Sequence, residues 1–86
     1  MPDILIYSTT VCPFCVRAKM LLDKKGAQYR EINLDKTPEM RDEMLQKSGG
    51  RRTVPQIFIG DLHVGGCDDL YELEMDGKLN ELLEIT

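Results

Sequence analysis

The stretch Thr9-Thr10-Val11-Cys12-Pro13-Phe14-Cys15 lies between a short apolar run, Ile4-Leu5-Ile6-Tyr7, and a segment with helical periodicity. Two cysteines separated by two residues, at the joint between a strand and a helix, form a disulfide-exchange signature. With Cys12 at the N-cap and Cys15 at the third helical position, both sulfurs fall on one side of the first turn. Pro13 then takes the first helical position, where its missing N–H costs nothing and its fixed φ suits the helix. The free N–H groups of that turn stabilise a thiolate, and the Cys15 N–H is placed to reach the Cys12 sulfur. Cys12 is therefore the candidate nucleophile and Cys15 the candidate resolving thiol.

Outward from this joint, Ile4 to Tyr7 is a continuous apolar run, too short for a helix and suited to a central strand. From Pro13 to about Lys25, Phe14, Ala18, Leu21 and Leu22 recur at helical spacing, and Gly26 supplies the stop. Gln28 to Leu34 alternates and reads as a second strand. Thr37-Pro38 opens a second helix, with Thr37 as N-cap, a thin stripe of Met40, Met44 and Leu45, and an end at Gly49-Gly50. Gln56–Ile59 and Leu62–Val64 form a hairpin turning at Gly60-Asp61. Asp68-Asp69 open a third helix carrying Leu70 and Leu73, and Leu79, Leu82 and Leu83 make a last turn or two. The order β-α-β-α-β-β-α predicts an α/β fold: a parallel pair from the first half, an antiparallel hairpin from the second, and helices flanking a four-stranded mixed sheet.

The 86 residues are expected to form one domain, 1–86, with a modest core. Their 42% hydrophobic and 30% charged content is that of an ordinary soluble chain. No apolar run approaches the roughly 20 residues of a membrane span, and the start Met1-Pro2-Asp3 leaves no room for a leader before the first strand, so a cytoplasmic, reducing location is the expectation. In such a compartment three cysteines read as catalytic or metal-binding rather than as a structural framework. A net charge of −4, with no basic stripe interleaved with aromatics, argues against nucleic-acid binding.

Two further clusters stand out. Thr53-Val54-Pro55 precedes the third strand, and a proline there belongs at a strand start or in a special turn. In Gly65-Gly66-Cys67-Asp68-Asp69, glycines before a helix let another chain approach closely, and first-turn N–H groups can hold a carboxylate. Together with Cys12-Pro13-Phe14-Cys15, in that order and spacing, these clusters resemble the glutaredoxins, small bacterial dithiol members above all. The resemblance covers essentially the whole chain.

It implies a thioredoxin-like fold and glutathione-dependent reduction of protein disulfides and glutathione mixed disulfides. Cys12 would attack and Cys15 would resolve a protein disulfide. Thr53 and Val54 would pair by backbone with the cysteine part of glutathione in the manner of an added strand, and Pro55 would be cis. Gly66, Cys67 and Asp68 would hold the γ-glutamyl end. Glutathione would be the reductant, with no tightly bound cofactor and no metal, and an NADPH-dependent glutathione reductase would recycle it. The partners would be disulfide or glutathionylated client proteins, and the chain would be a monomer. Family potentials of roughly −200 to −230 mV, against about −270 mV for thioredoxin, suit reduction by a small thiol.

Two departures from the family pattern bear on affinity rather than on sulfur chemistry. Where many glutaredoxins carry a lysine three residues before the nucleophile, this chain has Thr9; Arg52 or Arg17 are candidates to supply the cation. Phe14 stands where many relatives have tyrosine, keeping the ring but not the hydroxyl. Three rival readings are weighed against this one. Cys12, Cys15, His63 and Cys67 supply C-x2-C and H-x3-C pairs for a structural zinc, though far apart in sequence. An iron–sulfur cluster bridged between subunits by Cys12 and glutathione is the second. A thioredoxin with its own reductase is the third, opposed by the Gly66–Asp68 cluster and the absence of tryptophan. Cys67 reads most simply as a small, partly buried apolar residue.

Overall fold

A computed structural model describes residues 2–85. Its elements run β1 (Ile4–Ser8), α1 (Pro13–Lys24), β2 (Arg30–Asn33), a 3-10 turn (Pro38–Met40) leading into α2 (Arg41–Lys47), β3 (Gln56–Ile59), β4 (Leu62–Gly65), α3 (Cys67–Met75) and α4 (Leu79–Leu82). The strand order is β2-β1-β3-β4. β1 pairs parallel to β2 and antiparallel to β3, and β3 pairs antiparallel to β4. The four-stranded mixed sheet and its flanking helices match the expected thioredoxin-like architecture.

The unbroken apolar character of β1 has a direct cause. The strand is central, and its alternate side chains enter two different cores. Ile4 and Ile6 join Ala18, Leu21 and Leu22 of α1, Leu70 of α3, and Leu79 and Leu83 beyond it. Leu5 and Tyr7 face the other way, onto Leu34, Met44 of α2 and Phe58 of β3. With both faces covered, every residue of β1 is buried, and the strand delivers the following loop to a fixed point at the sheet's edge.

Two helix starts differ from the expected ones. Thr37 makes no side-chain cap; its hydroxyl donates instead to the Asn33 carbonyl at 3.0 Å, and the helix opens with a 3-10 turn before α2 proper. α3 begins at Cys67 with Gly66 as N-cap, ahead of Asp68-Asp69. Asp69, at the third helical position, reaches back so that its carboxylate accepts from the Gly66 N–H at 2.8 Å, as in one half of a capping box. β2 is also shorter than the alternating stretch suggested, although Leu34 N–H still donates to Ser8 O at 2.8 Å.

The end of β1 is fixed by an electrostatic clamp. The Ser8 hydroxyl, fully buried, donates to Glu31 Oε2 at 2.5 Å, and Lys19 Nζ reaches the same oxygen at 2.9 Å. The Ser8 hydrogen bond, then Lys19, hold the Glu31 carboxyl below its ordinary value of 4.5 against the opposing effect of burial. A carboxyl depressed in the folded state adds stability above its unfolded pKa and loses it as pH falls through the folded one. Glu31→Gln is therefore expected to be less stable than the parent near neutrality, with the gap closing on acidification. Urea titrations of both proteins across that range check this, and a gap independent of pH would contradict it.

Candidate functional site

The sulfur pair is built by the first turn of α1. Cys12 is its N-cap with extended backbone (φ −151, ψ 95), and Pro13 fills the first helical position. The Cys15 N–H donates to Cys12 Sγ at 3.0 Å. The two sulfurs are joined as a disulfide, with Cα atoms 5.2 Å apart. Burial separates their roles: Cys12 keeps 8% of its surface and Cys15 only 1%. A partner sulfur can therefore approach Cys12 alone. Unpaired N–H groups at a helix start favour negative charge there, which suits a thiolate at Cys12 once the disulfide opens.

The loop before the turn is anchored from the β2 side. The Thr10 N–H donates to Asp35 Oδ2 at 2.7 Å, and Asn33 Nδ2 donates to Thr10 Oγ1 at 3.3 Å. Val11 and Phe14 stay largely in solvent at 88% and 53%, so the sulfurs sit within an exposed apolar collar. Apolar surface of this kind around a reactive sulfur suits contact with another molecule.

Beside the sulfurs runs a shallow cleft of about 160 Å³. One wall is Thr53, Val54 and Pro55, whose Val54–Pro55 bond is cis. Val54 O lies 3.9 Å from Cys12 Sγ, which ties this wall to the redox pair. The opposite wall is the start of α3, with Gly66, Cys67 and Asp68, and Phe14 borders the cleft from α1. Two larger clefts lie elsewhere, around Tyr29 and around Thr37, and neither is lined by a cysteine. The chemistry, rather than cavity size, marks the smaller one.

Seven of the expected contact residues are thus gathered on one cleft: Phe14, Thr53, Val54, Pro55, Gly66, Cys67 and Asp68. Thr9 and Arg52 do not line it. Neither does Arg17, whose guanidinium lies over the Tyr71 ring, 5.5 Å from its centroid. The cation in the cleft is Arg51, paired loosely with Asp69 at 3.7 Å. Arg51 was not among the expected cations, Arg52 and Arg17; its backbone is held by Ser48, whose hydroxyl accepts from the Arg51 N–H and donates to the Arg51 C=O, both at 3.1 Å. Asp69 was legible only as a third helical position once the start of α3 is known.

The fourth-ligand reading of His63 is not supported by its surroundings. Its ring stacks on Phe58, its Nε2 meets Gln56, and among the described residues no three His, Cys, Asp or Glu side chains are gathered to hold a metal ion. Cys67 is buried in the main core, and burial, with Asp68 adding to it against Arg17, pushes its thiol up from the ordinary value. It is a packing residue whose edge reaches the cleft.

The Glutaredoxin family model matches residues 4–64. A glutaredoxin of Pseudomonas aeruginosa is 55% identical over 83 residues, covering 96% of this chain and 98% of that protein. The chain belongs to the glutaredoxin family. Among solved structures it is similar to the glutaredoxin of Brucella melitensis, with a TM-score of 0.82 and 59% identity over 96% of this chain and 89% of that one. It is also similar to buckwheat glutaredoxin in complex with glutathione, with a TM-score of 0.86 and 42% identity over 94% of this chain and 76% of that one. Membership of the glutaredoxins supports thiol–disulfide oxidoreductase activity at the Cys12–Cys15 pair. Among the described residues no helix is long and apolar enough to cross a membrane.

Proposed function

We propose that this glutaredoxin reduces protein disulfides and glutathione mixed disulfides at the expense of glutathione, with residues 1–86 acting as one monomeric domain in the cytoplasm. The observation that carries the reading is the cleft itself, which presents three kinds of peptide-recognition chemistry within reach of one sulfur. The Thr53–Val54 backbone precedes β3 and, among the described residues, makes no hydrogen bond to other backbone, which leaves it to pair with the cysteinyl unit of a tripeptide in the manner of an added strand. The first-turn N–H groups at Cys67 and Asp68 suit the γ-glutamyl carboxylate, and the Asp68 side chain suits its ammonium. Arg51 offers a guanidinium to a substrate carboxylate, in place of the lysine absent at Thr9.

On a glutathionylated client, the Cys12 thiolate attacks the glutathione sulfur. A bond forms between Cys12 and glutathione, the client sulfur leaves as a thiolate, and no net oxidation occurs. A second glutathione thiolate then attacks the glutathione sulfur of that mixed disulfide, releasing oxidised glutathione and the Cys12 thiolate. On a protein disulfide, Cys12 forms a mixed disulfide with one client sulfur. Cys15 displaces it, leaving the client as a dithiol and the pair oxidised, as it stands here.

A coupled assay tests the reading, using a glutathione mixed disulfide of a small thiol, glutathione, glutathione reductase and NADPH. NADPH consumption is expected to require both glutathione and this protein. Turnover sustained by thioredoxin reductase but not by glutathione would overturn the reading.

A further inference from the structure

Behind the Thr53–Pro55 wall lies a chain of side-chain hydrogen bonds that the sulfur chemistry does not use. Gln56 follows the cis proline directly and is fully buried. Its Nε2 donates to Thr53 O at 2.9 Å and to Thr53 Oγ1 at 3.2 Å. Its Oε1 faces His63 Nε2 at 2.7 Å. His63 is half-buried on β4, its ring stacked on Phe58 with centroids 4.8 Å apart.

A carboxamide oxygen only accepts, so the proton of this contact belongs to the ring, and His63 must carry it on Nε2. The same requirement orients Gln56. With His63 Nε2 bare, the amide would have to turn its NH2 toward the ring and its oxygen toward the Thr53 carbonyl, setting two acceptors against each other. Among the described residues Thr53, Val54 and Pro55 make no backbone–backbone hydrogen bond, so this amide is the polar anchor of the Thr53 carbonyl. A buried polar chain is stabilising only when every member is satisfied.

We propose that His63 is a positioning residue for substrate recognition: by donating to Gln56 it locks the carboxamide that holds the Thr53–Val54 edge in the register a peptide needs to pair with it. The inference rests on the glutathione reading of the cleft. It assigns a role to a residue that touches neither sulfur nor substrate.

His63→Phe keeps a ring against Phe58 and removes the donor. Loss of one such bond is expected to raise KM for the glutathione mixed disulfide about fivefold, with kcat held. The rate of Cys12 alkylation by iodoacetamide in the reduced protein should stay unchanged, because the α1 turn is untouched. His63→Gln, whose amide can still donate, is expected to recover most of the KM. A His63→Phe variant with the parent's KM, even one of lower Tm, overturns the proposal, as does an equal rise in His63→Gln. Nitrogen NMR of the unsubstituted protein provides a reading that needs no variant: a neutral His63 ring protonated on Nε2 is expected, and one protonated on Nδ1 overturns the assignment. Failure of the glutathione reading shows separately, as absence of glutathione-dependent turnover in the unsubstituted protein.

Discussion

Cys12→Ser is expected to abolish turnover, lowering it by on the order of a thousandfold or more, while Cys15→Ser keeps the reduction of glutathione mixed disulfides. The asymmetry follows from geometry. Cys12 keeps 8% of its surface, and Val54 O and the cleft lie beside it; Cys15 keeps only 1%. A serine hydroxyl at the N-cap can accept the Cys15 N–H bond and preserve the turn, but it cannot form a mixed disulfide. Loss of activity in Cys12→Ser is therefore a loss of chemistry rather than of fold, and a Tm unchanged from that of the reduced parent, which also lacks the Cys12–Cys15 bond, should accompany it. Cys15 contributes its backbone N–H to the Cys12 sulfur, and that contribution survives replacement of its side chain. Its thiol is needed only where an enzyme–client disulfide must be resolved from within. Rates on a glutathione mixed disulfide and on a protein disulfide, measured for both variants, check the division. If Cys15→Ser loses both activities, the one-sulfur route does not operate in this protein.

The legible part of the sequence was the part governed by local rules. The N-cap and proline that start α1 depend on three consecutive residues and on the cost of an orphan N–H, and the structure has them as read. The β3–β4 hairpin turns at Gly60-Asp61, as its pattern required. The first strand was recognisable as central because no polar residue interrupts it. What was not legible depends on contacts between distant segments. Thr37 is a good capping residue by type, yet its hydroxyl is taken by Asn33. Arg51 rather than Arg52 enters the cleft, on a backbone that Ser48 holds. His63 read as an ordinary strand histidine or a stray ligand, and only the fold sets it against Gln56. The three site clusters were individually visible, but their convergence on one cleft depends on the sheet order, which local periodicity does not report.

Gly65→Ala should be among the most destabilising small substitutions in the chain, while its neighbour Gly66→Ala should leave stability nearly unchanged. Both glycines precede α3, and type alone does not separate them. Gly65 has φ +114, in the region only glycine enters readily, and a methyl there would collide with the Asp69 carboxylate and stand 2.9 Å from Arg51 Nη1. Asp69 would have to withdraw from the Gly66 N–H, so the strained backbone and the lost cap act together. Backbone strain of this kind costs roughly 1–3 kcal/mol and a helix cap about 1 kcal/mol, which places the loss near 3 kcal/mol. That is a large part of the 5–15 kcal/mol typical of a whole domain. Gly66 has ordinary extended backbone (φ −97, ψ −165), and a methyl there meets Pro55 O at 3.5 Å, an ordinary contact. Reduced freedom of the unfolded chain would even favour alanine by about 0.4–1 kcal/mol. The methyl would, however, stand on the cleft wall between Pro55 and Asp69, narrowing the space a peptide must enter. The two variants should thus separate folding from recognition. Urea denaturation should show the loss only in Gly65→Ala, and steady-state kinetics on the glutathione mixed disulfide should show a raised KM in the stable Gly66→Ala protein. Equal stabilities for the two would mean that the Gly65 conformation is not what sets the start of α3. An unchanged KM in Gly66→Ala would place the substrate elsewhere than between the cis-proline wall and that helix.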